Sequence, residues 1–342
     1  MKKTNWTHIL ICSFIVFSYV HKLHAQDPHF SQHFNSPVYQ NPAASGSFPG
    51  SMRLQLNYRS QWNAVTVPFQ TMFAALDMMP GRRTYKKNRF GIGITMLRDK
   101  AGDSEYGIFE LGLNLAYHRT LNRRGTHVIS LGMITSFAQR SINYMALRFP
   151  GQFDGTTYNQ GIPNGETFPQ NNLSYPNIGA GLQWNLNKHK IKYQFGLSLN
   201  HLNKPGLSFL ENSNVRLEPK LNIETQISFP LQDFWEMIPS FQYEIQDNYK
   251  KFVLGSLFRY SNPFKGTDGT TFYGGIFTRW NDAMIFATGL EYDIYNFCIS
   301  YDINYSTLKT ASHYQGGIEV SLSFMLHNKA KKLKRDISCP VF

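Results

Sequence analysis

Ile191-Lys192-Tyr193-Gln194-Phe195-Gly196-Leu197-Ser198-Leu199-Asn200 alternates apolar and polar residues without a break. Successive side chains of a strand point to opposite faces, so one face of this segment is continuously apolar and the other polar. Val215 to Phe229 and Ile318 to Phe324 repeat the pattern. Strands of a soluble sandwich alternate too, but typically run only about five or six residues. Recurrent alternating segments of about ten residues have the length at which tilted strands cross a bilayer. Fourteen such segments are expected, at 51–60, 68–79, 89–99, 106–119, 126–140, 175–187, 190–203, 215–230, 234–247, 250–262, 270–281, 283–295, 296–306 and 314–327. The fold class is therefore all-β: a transmembrane antiparallel β-barrel of about fourteen strands, an even count that puts both barrel ends on one side.

Composition agrees with a barrel. The 342 residues are 15% aromatic and only 16% charged, against about 25% charged in a soluble domain. No apolar run is long enough for a transmembrane helix. Met1 to Ala25 has basic residues Lys2 and Lys3, an apolar stretch from Ile9 to Val20, and Leu23-His24-Ala25 before Gln26. That layout is an export signal, with an apolar part too short to span. The expected organisation is a signal peptide over 1–25, an irregular N-terminal segment over 26–50, the barrel over 51–327, and a basic tail over 328–342. The formal charge of +12, less the leader's Lys2, Lys3 and Lys22, leaves +9. Much of this lies at turns (Arg82, Arg83, Lys86, Lys87) and in the tail from Lys329 to Arg335. Export and scattered positions argue against nucleic-acid binding. The tail reads as a solvated charge run, with anionic lipid headgroups or an acidic periplasmic protein as its alternative contacts.

With a periplasmic N-terminus, links after even strands are mostly short turns, while 141–174 and 204–214 become outward loops. Links 80–88 and 263–269 are longer than that rule expects, and Pro219 interrupts a strand pattern. Glu110, Glu224, Glu291, Asp293, Asp302 and Glu319 are expected in a polar lumen, with Arg259 and Arg279 as partners. Tyr117, Trp184, Phe229, Trp235, Tyr260, Trp280 and Tyr292 fit interfacial girdles. The segment before the first strand holds Pro28, Pro37, Pro42 and Pro49, which rule out a long helix. Asp27, Pro28, Phe30, Phe34 and Pro42 mark it as a candidate plug or docking element, with a plain linker as the alternative. In the long outward loop, Phe149, Phe153, Tyr158 and Phe168 are candidate anchors for a protein partner. The loop folding inward to close the barrel is the competing reading.

No catalytic, cofactor or metal motif appears. His118, His127, His189, His201 and His313 are scattered, and only His313 with Asp302 and Ser312 forms a conceivable cluster. Past the leader, Cys298 and Cys339 stand alone, with no metal-ligand spacing and one conceivable disulfide between them. No enzyme and no cofactor is expected.

The order Gln26-Asp27-Pro28-His29-Phe30-Ser31-Gln32, Asn41-Pro42-Ala43, Gly46, Arg53, Tyr58-Arg59 and Gln61-Trp62 resembles the start of the PorP/SprF family of outer-membrane proteins. The resemblance continues through Leu147-Arg148-Phe149-Pro150-Gly151-Gln152-Phe153-Asp154, Ser300-Tyr301-Asp302, Gly317 to Leu322, and Cys339-Pro340-Val341-Phe342. His33-Phe34-Asn35-Ser36-Pro37 departs from it by an extra serine. The resemblance implies an outer-membrane barrel of the type IX secretion and gliding machinery. Its implied partners are secreted proteins with type B C-terminal domains, held at the surface, or periplasmic motor and peptidoglycan-binding components. A porin-like diffusion channel is the alternative that the alternation alone leaves open.

Overall fold

Strands of nine to seventeen residues dominate the molecule. The structure is a computed structural model that describes residues 27–63, 67–80, 87–159, 161–163, 165–166, 169–209, 215–261, 270–307 and 309–326. The strands are β1 Met52–Gln61, β2 Phe69–Met78, β3 Asn88–Ala101, β4 Tyr106–Thr120, β5 His127–Ser141, β6 Asn172–Lys188 and β7 Ile191–Asn200. They continue as β8 Lys220–Gln232, β9 Trp235–Gln246, β10 Tyr249–Ser261, β11 Thr271–Arg279, β12 Ala283–Tyr292, β13 Tyr295–Asn304 and β14 Gln315–Leu326. Each pairs antiparallel with its sequence neighbours, and β1 closes the barrel against β14, from Met52 opposite Leu326 to Gln61 opposite Gly317. Closure leaves no sheet edge, which is what a strand fold needs in hydrocarbon.

All fourteen expected strands are present, with one start displaced. Val215 to Pro219 precedes β8, and Leu217 is buried in a small cluster with Ala138, Tyr175 and Leu207. The segment is held by the Gly206–Arg216 bridge. Its alternation is that of an extended chain folded over the barrel mouth. Pro219 thus lies outside the strands, while Pro176, Pro230 and Pro239 lie within β6, β8 and β9.

Alternation sets the two faces. Along β3, for example, Phe90, Ile92, Ile94 and Met96 are exposed on the outer surface. The lumen is less uniformly polar than alternation suggests: Ile238, Val253, Leu257, Phe277 and Ile285 of β9 to β12 form a buried apolar cluster. Tyr117, Trp184, Phe229, Trp235, Tyr260 and Tyr292 lie toward the strand ends on the side of β1's start, and Trp280 at the opposite rim. Trp280 is the most exposed of them, at 71%.

Links at the end carrying the start of β1 include His189-Lys190, Asp233-Phe234 and Asp293-Ile294. The opposite end carries the long loops 142–171 and 201–219, beside three short turns, 102–105, Asp247-Asn248 and 280–282. By the general rule that short turns face the periplasm and long loops the outside, the 142–171 end is the outer one. Links 80–88 and 263–269 lie largely outside the described residues, as do the leader, Cys339 and the basic tail. Cys298 is buried in β13.

Candidate functional site

Residues 27–50 thread the barrel along its axis. The chain leaves β1 at the periplasmic rim, where Ser51 N–H donates to the Leu326 carbonyl (2.7 Å). It reaches the outer end at Asp27, whose carboxylate meets His201 Nε2 (2.6 Å) and Lys220 Nζ (2.9 Å). Proline fixes two short turns on the way, a four-residue helical turn Pro37–Gln40 and a 3-10 turn Pro42–Ala44. Pro sits first in each, where its missing N–H is not needed.

Backbone groups freed by these turns are taken up by the wall. The Ser31 and Gln32 N–H groups donate to Glu319 (2.6 and 3.2 Å), and the Gln32 amide reaches Ser300 and the Glu319 carbonyl. The Gln40 carbonyl accepts from Ser198 (2.6 Å) and Asn222 (3.2 Å), and Asn41 Nδ2 donates to the Leu182 carbonyl (3.0 Å). Near the inner end Gly46 N–H donates to Asp77 (2.7 Å), which also pairs with Arg53, and the Ser45 carbonyl lies 2.9 Å from His118 Nε2. Two wall glycines make room at the closest approach. A Cβ on Gly132 would lie 2.2 Å from Ala43 N, and one on Gly181 would lie 2.0 Å from Asn41 Oδ1. Aromatic contacts complete the fit: Phe30 packs on Tyr39 and Phe73, and Phe34 stacks on Phe277 at 5.3 Å.

The expected plug or docking residues Asp27, Pro28, Phe30, Phe34 and Pro42 all lie in this segment. Lumen charges fall into local networks. Asp302 bridges Arg59 and Arg279, each at 2.8 Å, and accepts from Ser31 Oγ. Arg259 joins Glu236 and Glu291. Glu110 accepts from Ser136 and Asn177, and Glu224 is buried. Asp293 corrects the expectation: it occupies the exposed β12–β13 turn with φ 51°, because alternation ends where the chain reverses. His313, likewise in a left-handed conformation (φ 50°), is exposed in its loop, while the two buried arginines hold the Asp302 carboxylate, so no triad forms.

At the outer mouth, the long loop carries its own scaffold. Phe153 and Tyr158 form a bridge around a turn in which the Asp154 carboxylate accepts from the Thr156 and Thr157 amides. Arg148 lies 5.1 Å from the Tyr158 ring centre, and the Tyr158 hydroxyl donates to Gln152 (3.1 Å). Phe153 is 56% exposed, Phe149 and Tyr158 are half-buried, and Phe168 lies outside the described residues. The threading of 27–50 had a partial signal in its prolines and buried-type polar residues. The wall glycines that receive it carried none, since any strand glycine reads alike.

A sequence profile described as type IX secretion system membrane protein PorP/SprF matches residues 22–324. The chain belongs to the PorP/SprF family. It is an outer-membrane β-barrel of the type IX secretion system. Solved structures similar in fold to this PorP/SprF barrel include the Ralstonia pickettii toluene transporter TbuX, at 14% identity and TM-score 0.51, covering 86% of this chain and 94% of that one. The Pseudomonas putida toluene transporter TodX aligns at 10% identity and TM-score 0.50, covering 88% and 95%. At such identity the likeness concerns the barrel alone. A search of curated proteins returned no sequence relative.

Proposed function

We propose that this PorP/SprF barrel works by binding proteins rather than by passing solutes. It anchors a secreted protein bearing a type B C-terminal domain, or links the secretion and gliding machinery to the outer membrane. The observation that carries this reading is the threaded lumen: residues 27–50 run from one rim to the other, tied to the wall at successive depths. A porin needs a continuous water path along that axis, so the surfaces left for work are the two mouths. The outer mouth presents the 142–171 loop, whose exposed Phe153 on a hydrogen-bonded turn offers a rigid aromatic anchor of the kind that dominates interfaces.

The test is affinity capture of the tagged protein from detergent-extracted native outer membranes. A large secreted protein in near-equal amount supports anchoring, and periplasmic motor or peptidoglycan-binding proteins support the linking role. Phe153→Ala in a correctly inserted barrel should lower retention of the outer partner at least tenfold. Recovery of neither class, together with single-channel conductance by the intact protein, would overturn the proposal in favour of a diffusion channel.

A further inference from the structure

Exposed basic residues crowd one arc of the rim that carries the start of β1, the periplasmic one. Lys87 precedes β3, Arg119 lies near the end of β4, and Arg123 and Arg124 form the tip of the β4–β5 turn. Lys188 ends β6, Lys190 sits in the β6–β7 turn and Lys192 opens β7. Backbone hydrogen bonds lace these links into one surface: Thr120 N–H donates to the Lys87 carbonyl and Asn187 N–H to the Thr126 carbonyl, each at 2.8 Å. The stretches 87–98, 111–134 and 178–200 contain no aspartate or glutamate. Among the described residues none of these seven cations forms an ion pair.

The opposite arc of the same rim has the reverse character. Asp233 and Asp293 occupy the exposed β8–β9 and β12–β13 turns, and Glu236 and Glu291 share Arg259. No exposed lysine or arginine lies at this rim among the described residues of β8 to β14 and their links. A bilayer touches the whole circumference of a barrel alike, so lipid contact gives no reason for charge on one side only. The placement of the cations points the same way. Arg123, Arg124 and Lys190 stand beyond the last paired residues of their strands. Lys192 lines a cavity of about 430 Å³ at this mouth, beside Phe48 and Met79 of the chain around the threaded segment. Like charges crowded in this way repel one another, and a counter-charge settling on them relieves the repulsion.

We propose that this arc docks an acidic polypeptide segment of a periplasmic protein. The segment lies across the β4–β5 and β6–β7 turns, with carboxylates on Arg123, Arg124 and Lys190 and a further one on Lys192 at the cavity mouth. An arginine fork suits a carboxylate because it can donate two parallel hydrogen bonds. Asp233 and Asp293 across the mouth repel the same segment, so the two arcs together set one seating of the partner. The inference deepens the linking role proposed above and rests on it: it assigns the face of the mouth that the periplasmic partner takes and the charge that the partner carries.

Titration of the full-length barrel, held in discs of zwitterionic phosphatidylcholine, with fluorescent decaglutamate tests the charge. Anisotropy should show saturable binding that weakens as salt rises. Arg123→Gln, Arg124→Gln and Lys190→Gln combined should weaken it at least tenfold. Lys204, Arg216 and Lys250 are exposed at the outer end, and replacing those three by Gln removes the same charge and should change nothing. Heat-modifiable gel mobility reads whether each variant is still a folded barrel. Phosphatidylglycerol added to the discs should leave the peptide bound; its displacement would give the arc to lipid headgroups and overturn the proposal. Absence of saturable binding, or equal loss in both triple variants, would overturn it too. In cells, a photoreactive benzoylphenylalanine in place of His189 should cross-link to a periplasmic protein with an acidic segment, and the basic-arc triple variant should lose that product. Cross-links from position 293 in place of 189 would sink the basic arc as the dock and leave the linking role standing. Cross-links from neither position would remove the linking role, and this inference with it.

Discussion

Individual residues decide whether the threaded segment fits. Gly132 faces the turn at Pro42 and Ala43 so closely that a Cβ would meet backbone at 2.2 to 2.5 Å, and neither the turn nor a paired strand can yield cheaply. Gly132→Val should therefore unseat the segment and raise single-channel conductance above that of the unsubstituted barrel. Gly206→Ala, where an added Cβ meets nothing within 4 Å, should leave it unchanged. Equal behaviour of the two variants would remove the steric argument. Asp302 makes an electrostatic case. Its removal leaves Arg59 without its closest carboxylate and deprives Arg279 of its buried one, a change that costs about 3–5 kcal/mol for a buried pair. Asp302→Ala should lower the denaturation midpoint of the folded barrel correspondingly, whereas Asp293→Ala, in an exposed turn, should not. Sequence reading placed both aspartates in the lumen because period-two counting assigns a face and says nothing about where the chain turns.

At the scale of elements, the strands were legible and the path of the irregular segment only in part, through its prolines. Alternation is imposed by having lipid on one side, so it survives in β7 or β14 whatever the partners are. The entry of residues 27–50 into the lumen depends on contacts with β13, β14, β7 and β8, far away in sequence, and no local pattern encodes them. The misplaced start of β8 has a related cause: Leu217 alternates with its neighbours but packs on Ala138 and Tyr175 of the wall and Leu207 of its own loop rather than facing lipid. The outer loop yields a prediction of its own. Hydrogen bonds from the Thr157 and Thr156 amides hold the Asp154 carboxyl down at about 2. A carboxyl depressed in the folded loop contributes order that is complete above its ordinary value near 3.8 and is lost as pH falls through about 2. The Thr156 and Thr157 amides should therefore keep their hydrogen-exchange protection at pH 3.5, where an unengaged aspartate is already largely protonated. Asp154→Ala should remove that protection at every pH. Loss of protection in the unsubstituted protein near pH 4 would mean that the carboxylate does not organise the turn.

For the molecule as a whole, closure and orientation are linked. Because β1 pairs with β14 and the strand number is even, the barrel's two ends share one rim, and the threaded segment must carry residue 27 to the other. The end bearing 142–171 then faces the outside and the His189-Lys190 turn faces the periplasm. This assignment rests on loop length, a rule about barrels in general, so it needs its own measurement. Thr156→Cys on intact cells should react with a maleimide too large to cross the outer membrane, while His189→Cys should react only after the membrane is opened. Cys298 is buried and adds no signal from outside. The reverse labelling pattern would put the exposed Phe153 loop in the periplasm and assign its partners to the motor side. Orientation thus determines which compartment's proteins each mouth can meet.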